Sequence, residues 1–236
     1  MIIFTLYLNV GCLFSGGKDS TFSLYLAIER GLKIKCLITI IPTSEESYLF
    51  HYPNIWITQI QSQALQIPII SKKIESSSSI DEEYKELDKL IEKAKDEFQI
   101  NGIVHGGISS NFQKSRYNTI CQKHNLQLIS PLWQIDQYEY MNKLLNHKFL
   151  IQIIGVSAMG LDVNWLGTNL TYANLQDLIL LSKKYRFNIS FEGGEAETLV
   201  LDCPIFRKKL DIIKSNTKWD GQRGIVEISD ILLLDK

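Results

Sequence analysis

The chain has no surplus of charge: 25 Lys and Arg stand against 26 Asp and Glu in 236 residues. Without an overall positive field it has no general means of holding a nucleic-acid backbone by counterion release, so direct nucleic-acid binding is not expected, a local basic patch being the alternative. Closely spaced cysteines are also missing. Cys12, Cys36, Cys121 and Cys203 are too scattered for zinc or redox motifs and read as reduced core thiols of a cytoplasmic protein. No stretch approaches the ~20 apolar residues of a membrane span. The apolar start, Met1–Phe14, resembles the hydrophobic part of a signal peptide but lacks a basic leader and a small-residue cleavage site. It reads instead as a buried strand at Val10–Phe14, preceded by an extension, Met1–Asn9, that the pattern does not place. No internal repeat is visible.

What is present is ordinary globular composition, 45% hydrophobic, 22% charged and 10% aromatic, in a chain long enough to bury a core without a disulfide or metal staple. Apolar runs at Val10–Phe14, Ile34–Ile41, Ile67–Lys73, Gly102–His105 and Leu126–Ile129 alternate with helical patterns at Ser20–Arg30, Asn54–Leu65, Asp81–Phe98 and Gln113–His124. That alternation predicts an α/β fold with a doubly wound, mainly parallel sheet. Asp81 is the expected cap of the third helix, with Tyr84, Leu87, Leu90, Ile91, Ala94 and Phe98 at helical spacing. After Pro131 the texture changes to a helix at Asp136–Asn146, a buried strand at Phe149–Val156, a helix at Thr171–Tyr185, and short strands near Ile189, Leu199 and Ile225–Leu234. The expected division is a larger domain over 1–130 and a smaller α/β domain over 131–236.

Two constellations carry chemistry. Ser15-Gly16-Gly17-Lys18-Asp19-Ser20 lies directly between a strand and a helix, where a glycine loop can bring backbone N–H groups and the helix dipole onto an anion. Ser15 and Ser20 can add hydroxyl donors, Lys18 a mobile charge, and Asp19 either a cap or an indirect hold on a metal ion. The alternative is a plain tight turn with a cap. The loop is neither a P-loop, whose lysine ends a longer run, nor a dinucleotide fingerprint, which needs a third spaced glycine. The second constellation, Glu192-Gly193-Gly194-Glu195-Ala196-Glu197-Thr198, sets three carboxylates around a double glycine between apolar segments. Such a group attracts a cation or raises its members' pKa values; the alternative is a solvated acidic turn.

The hexapeptide resembles the pyrophosphate-binding motif of the N-type ATP pyrophosphatases, which implies ATP as substrate and attack at its α-phosphorus. Taken with ESYLFH at Glu46–His51, GGISSNFQKSR at Gly106–Arg116, PLW at Pro131–Trp133, VSAMGLD at Val156–Asp162, WLG at Trp165–Gly167, EGGEAETLVLDCPIF at Glu192–Phe206 and WDG at Trp219–Gly221, the sequence resembles the diphthine-ammonia ligases from Val10 onward. The first motif is shared across a superfamily; the Glu192 block is much narrower. The resemblance implies a HUP-like adenine nucleotide hydrolase fold and amidation of diphthine, a trimethylammonio-carboxypropyl histidine on translation elongation factor 2, by ATP and ammonium with release of AMP and pyrophosphate. It implies Mg2+ beside the nucleotide, a cytoplasmic location, and leaves a homodimer open.

In that light the residues expected at ATP are Ser15, Gly16, Gly17, Lys18, Asp19, Ser20, His51, Gly106 and Ser110. Asp19 is the expected metal ligand, and Lys18, Asp19 and Glu195 the expected catalytic groups, Glu195 binding ammonium and taking its proton. Tyr48, Gln113, Lys114, Arg116, Glu192, Gly193, Gly194, Glu195, Glu197 and Thr198 are expected at the substrate. A quaternary ammonium group makes no classical N–H donor bonds, so carboxylates and aromatic faces must hold it; Tyr48, Trp133, Trp165 and Trp219 are candidates, each with core packing as the alternative. Three departures from the family pattern stand out: residues 1 to 9, which have no counterpart in the family's usual compact start, Asn146-His147-Lys148 where a glycine commonly ends a helix, and Ala196 where an aromatic residue is frequent. Two other classes remain as alternatives, a different adenylating ligase or tRNA-modifying enzyme on the same fold, and a nucleotide sensor without catalysis.

Overall fold

A computed structural model describes residues 8–42, 54–74 and 79–236. The described residues group into two compact units. The first comprises those of Met1–Ser15, Asp19–Thr58 and Ile67–Trp133; the second comprises Gly16–Lys18, Gln59–Gln66 and Gln134–Lys236. The middle of the glycine loop thus associates with the C-terminal part of the chain, a grouping that sequence order does not suggest.

In the first unit, strands β1 (Asn9–Leu13), β2 (Lys33–Pro42), β3 (Ile69–Ile74), β4 (Gly102–Val104) and β5 (Gln127–Ile129) form a wholly parallel sheet in the order β3-β2-β1-β4-β5. Helices α1 (Lys18–Glu29), α2 (Ile57–Leu65), α3 (Ile80–Phe98) and α4 (Asn111–Lys123) alternate with these strands along the chain. Strand order turns back between β1 and β4, and in such sheets a crevice opens outside the carboxyl ends of the strands at that point. Ser15 after β1 and Gly106 after β4 follow the two strands at that point.

Helix α3 shows how the sequence builds this layer. Its apolar positions Tyr84, Leu87, Leu90, Ile91 and Ala94 are buried in one core with Cys36, Ile38, Ile40 and Ile103. Each such Leu or Ile side chain contributes roughly 1.5–3 kcal/mol when fully buried. The cap is not Asp81 but Ser79, whose hydroxyl accepts from Glu82 N while Glu82 Oε2 accepts from Ser79 N at 2.9 Å. Asp81, Glu82 and Glu83 then fill the first turn, where negative charge complements the helix dipole.

The second unit holds a four-stranded antiparallel sheet, β7 (Ala196–Asp202), β6 (Leu150–Val156), β9 (Gly224–Asp235) and β8 (Lys208–Trp219), in that order, with helices α5 (Gln137–Asn146) and α6 (Tyr172–Tyr185). Two expectations need correction. Ile189 is in no strand but in a turn, its N–H donating to Gln137 Oε1 at 2.9 Å. The strands that follow β7 are not short: β8 and β9 form a hairpin of 12 residues a side. After α5, Lys148 takes the left-handed conformation (φ 57°) that a glycine would occupy, and Lys148 N and Phe149 N donate to Leu145 O and Leu144 O. All four cysteines are free and buried. Burial pushes their thiols up, those of Cys36, Cys121 and Cys203 to about 12, so none is a ready nucleophile.

Candidate active site

The glycine loop is closed by its own serines. Ser15 N donates to Ser20 Oγ at 3.2 Å, and the two hydroxyl oxygens lie 3.2 Å apart. Gly16 has φ 79°, where a side chain is strained, and a Cβ there would come within 2.2 Å of Gln61 Oε1. Gly106 is required for a different reason. A Cβ on it would lie 2.8 Å from the backbone carbon of Asp19 and the nitrogen of Ser20, so the β4–α4 turn can lie against the first turn of α1 only without one.

Within the second unit, residues 16–18 are fastened to β7. Lys18 N donates to Thr198 Oγ1 at 3.2 Å, and Val200 N donates to Gly16 O at 3.1 Å. Gln61 Nε2 donates to both Gly16 O (2.9 Å) and Val200 O (2.8 Å). Lys18 is 1% exposed. Its ammonium lies 5.8 Å from the centre of the Tyr140 ring and 5.5 Å from that of Phe191, within the range of cation–π attraction. The expected mobile charge is therefore an enclosed one. Asp19 follows in the first turn of α1, partly exposed.

The acidic block is a turn with β7 growing from it. Glu195 does not point an open carboxylate outward: Oε1 accepts from Asn188 N and Oε2 from Gly193 N, both at 2.9 Å. Its carbonyl accepts from Ser157 N (2.9 Å) and Ala158 N (3.2 Å), and Ser157 Oγ donates to Gly194 O. These bonds hold a turn in which Phe191 (φ 60°) and Gly194 (φ 81°) are both left-handed. A non-glycine residue in that region is strained and must be held by its surroundings, and Phe191 is one of the two rings beside Lys18. Glu192 is partly exposed. Glu197 pairs with Gly155 on β6, where a Cβ would sit 3.1 Å from that of Glu197. Thr198, expected at the substrate, accepts from Lys18 N of the glycine loop, and the small Ala196 is buried at the start of β7.

The remaining expected residues divide between the units. In the first, Ser110 caps α4 by accepting from Gln113 N at 3.4 Å. Lys114 Nζ lies 3.7 Å above the Trp133 ring, and Arg116 pairs with Asp81 Oδ1 at 2.7 Å while lying over the Tyr84 and Phe112 rings. One face of Trp133 thus already carries a cation. In the second, Trp165 ends a short 3-10 turn and Trp219 ends β8 opposite Gly224, where a Cβ would meet the Trp219 ring at 2.6 Å. Tyr48 and His51 lie outside the described residues.

His105, which sequence reasoning passed over, is 1% exposed at the end of β4. Its Nδ1 accepts from Gly107 N at 3.1 Å, so the neutral ring carries its proton on Nε2 and donates to Ser130 Oγ at 2.6 Å. Burial, and secondarily the Lys114 ammonium, lower its pKa to about 4. The only signal in the sequence was its place just before Gly106.

Comparison with known proteins decides the family. Residues 8–128 match the model for the diphthamide synthase N-terminal domain and residues 136–234 that for the diphthamide synthase C-terminal domain. The chain belongs to the diphthamide synthase family. Among relatives named diphthine–ammonia ligase, the human protein is 31% identical over 88% of this chain and 84% of its own length, and that of Danio rerio 32% identical over 87% and 86%. The Schizosaccharomyces pombe relative is 32% identical over 84% of this chain, which spans 35% of that longer protein. In this diphthamide synthase family member the glycine loop and the β4–α4 turn fall in the N-terminal match, and the acidic turn, β7 and Lys18's aromatic neighbours fall in the C-terminal one.

Proposed function

We propose that the chain is an AMP-forming diphthine–ammonia ligase that binds ATP with its phosphates on the Ser15–Ser20 loop. The observation that carries this reading is the pairing of a glycine phosphate cradle with an acidic turn on one hydrogen-bonded assembly, Gly16–Lys18 with β7. The cradle fits a polyphosphate: Gly16 is left-handed and α1 begins at Lys18, so backbone N–H groups and the helix dipole meet at the loop. The diphthine carboxylate attacks the α-phosphorus of ATP, the bond to the bridging oxygen breaks, and pyrophosphate leaves. Ammonia then forms the C–N bond to the acyl carbon, AMP departs with the C–O electron pair, and a proton is lost to a base. Activation is needed because a carboxylate does not expel oxide, whereas AMP is a good leaving group.

Lys18 places its charge beside the loop, where it favours the charge that develops on departing pyrophosphate. Asp19 would hold Mg2+ together with the nucleotide's own phosphates, since magnesium is often held by one or two carboxylates plus phosphate oxygens; the ion would supply neutralising charge there. Glu192 and Glu197 supply negative charge for the trimethylammonium group, and Glu195 shapes the turn that carries them. The partner is translation elongation factor 2 bearing diphthine, and the reaction takes place in the cytoplasm. Among the described residues no helix is long and apolar enough to cross a membrane. The testing experiment is pyrophosphate release with ATP and ammonium, with and without the diphthine-bearing factor. Release that requires the factor supports the proposal; release indifferent to it refutes it.

A further inference from the structure

Gln61 lies on α2, is fully buried, and spends both Nε2 protons on carbonyl groups, those of Gly16 and Val200. Val200 N provides a second bond to the Gly16 carbonyl, so both lone pairs of that oxygen are engaged. The orientation of the carboxamide is chemically forced, because the reverse assignment would set its oxygen against two carbonyl oxygens. Oε1 itself makes no hydrogen bond and lies where a side chain on Gly16 would have to begin.

This arrangement fixes one particular peptide. In a trans peptide the C=O and the following N–H point in opposite directions. Drawing the Gly16 carbonyl onto Val200 and Gln61 therefore turns the Gly17 N–H away from β7. The peptide between two glycines is the least restrained in a chain, and rotating it would present a carbonyl oxygen where the loop must present a donor. Lys18 N, the next donor, is held on Thr198, so the aim of Gly17 N–H matters all the more.

We propose that Gln61 is a positioning residue of the phosphate loop, holding the Gly16–Gly17 peptide with its carbonyl on β7 and its N–H turned toward the β and γ phosphates of a bound nucleotide. The inference rests on the reading of the Ser15–Ser20 loop as the ATP site. It adds a residue with no place in the glycine motif, 45 positions from Gly16, whose action is through the loop rather than on the nucleotide.

The test is titration calorimetry of the full chain with ATP, inorganic pyrophosphate and AMP, on wild type, Gln61→Met and Gln61→Asn. Methionine keeps the length but neither donor; asparagine keeps the carboxamide on a shorter arm that cannot bridge both carbonyls. A mis-aimed N–H to phosphate should weaken pyrophosphate and ATP about tenfold while AMP changes by less than about twofold. In turnover the KM for ATP should rise and that for the protein substrate should not. Wild-type pyrophosphate affinity in folded Gln61→Met overturns the proposal, as does an equal loss for AMP, and so does failure of both variants to fold, which would make the role one of stability alone. Wild type that binds neither ATP nor pyrophosphate would refute the ATP-site reading itself. Wild type that binds both without amidating diphthine would refute only the substrate assignment and leave the Gln61 comparison intact.

Discussion

Lys18 donates its backbone N–H to Thr198 Oγ1 at 3.2 Å, a bond between residues 180 positions apart. It makes the last residue of the acidic motif part of the phosphate loop. Thr198→Val should leave the fold intact and weaken ATP by about 1 kcal/mol, roughly fivefold, as a single hydrogen bond to a neutral acceptor is lost. Thr198→Ser, which keeps the hydroxyl, should behave as wild type. Calorimetric titration with ATP decides it; equal behaviour of the two variants would separate Thr198 from the loop.

Gly16 and Gly31 share φ 79° but not their surroundings: Gln61 Oε1 crowds the Cβ position of one, and nothing lies within 4 Å of the other. Gly31→Ala should therefore lose only the left-handed conformational cost, about 1–2 kcal/mol. Gly16→Ala adds a steric cost of about 1–3 kcal/mol and should abolish measurable ATP binding by displacing the loop. Thermal unfolding with and without ATP measures both effects, and a Gly16→Ala protein stabilised by ATP as wild type is would contradict this reading.

His105 predicts a pH dependence of stability. Its folded pKa, about 4, lies below the ordinary value of about 6.5, so across that window the unfolded chain binds more protons. The contribution of the neutral ring is complete above about pH 6.5 and is lost as pH falls toward about 4. Between about pH 7.5 and about pH 5, wild type should lose roughly 2 kcal/mol more than His105→Gln. Urea unfolding of both proteins at the two pH values checks this; parallel losses would mean that His105 is not buried in its neutral form.

Glu195 and Glu197 should part company. Glu195→Gln leaves one of the two N–H groups, of Asn188 or Gly193, without an acceptor and should cost about 1–3 kcal/mol of stability. Glu197→Gln should change stability little and weaken use of the cationic protein substrate, more so at low salt. Melting temperatures and substrate titrations at two salt concentrations distinguish them. If Glu195→Gln melts with wild type while Glu197→Gln unfolds early, the assignments are reversed.

The α/β order of the first unit was legible because its strands are apolar runs and α3 has a clear helical stripe, with Leu87, Ile91 and Ala94 at its centre. The β8 strand was not legible: of its 12 residues only Leu210 is buried, so no alternation marks it. The cap moved from Asp81 to Ser79 because both residue types cap equally well and only the backbone distinguishes them. The glycine loop declared itself by position, whereas Gln61, Thr198, His105 and Phe191 act through partners or backbone angles that no local pattern encodes. The acidic block was visible as charge, but not the backbone N–H groups that occupy Glu195.

The decisive group is the carboxylate of diphthine. The purified chain, ATP and ammonium are incubated with translation elongation factor 2 bearing diphthine, and the modified peptide is analysed by mass spectrometry alongside the nucleotide products. The predicted result is replacement of one hydroxyl by one amino group on diphthine, with one AMP and one pyrophosphate formed per amide and no product when any component is omitted. Unaltered diphthine in the complete reaction, or amide accompanied by ADP and phosphate instead, would contradict it.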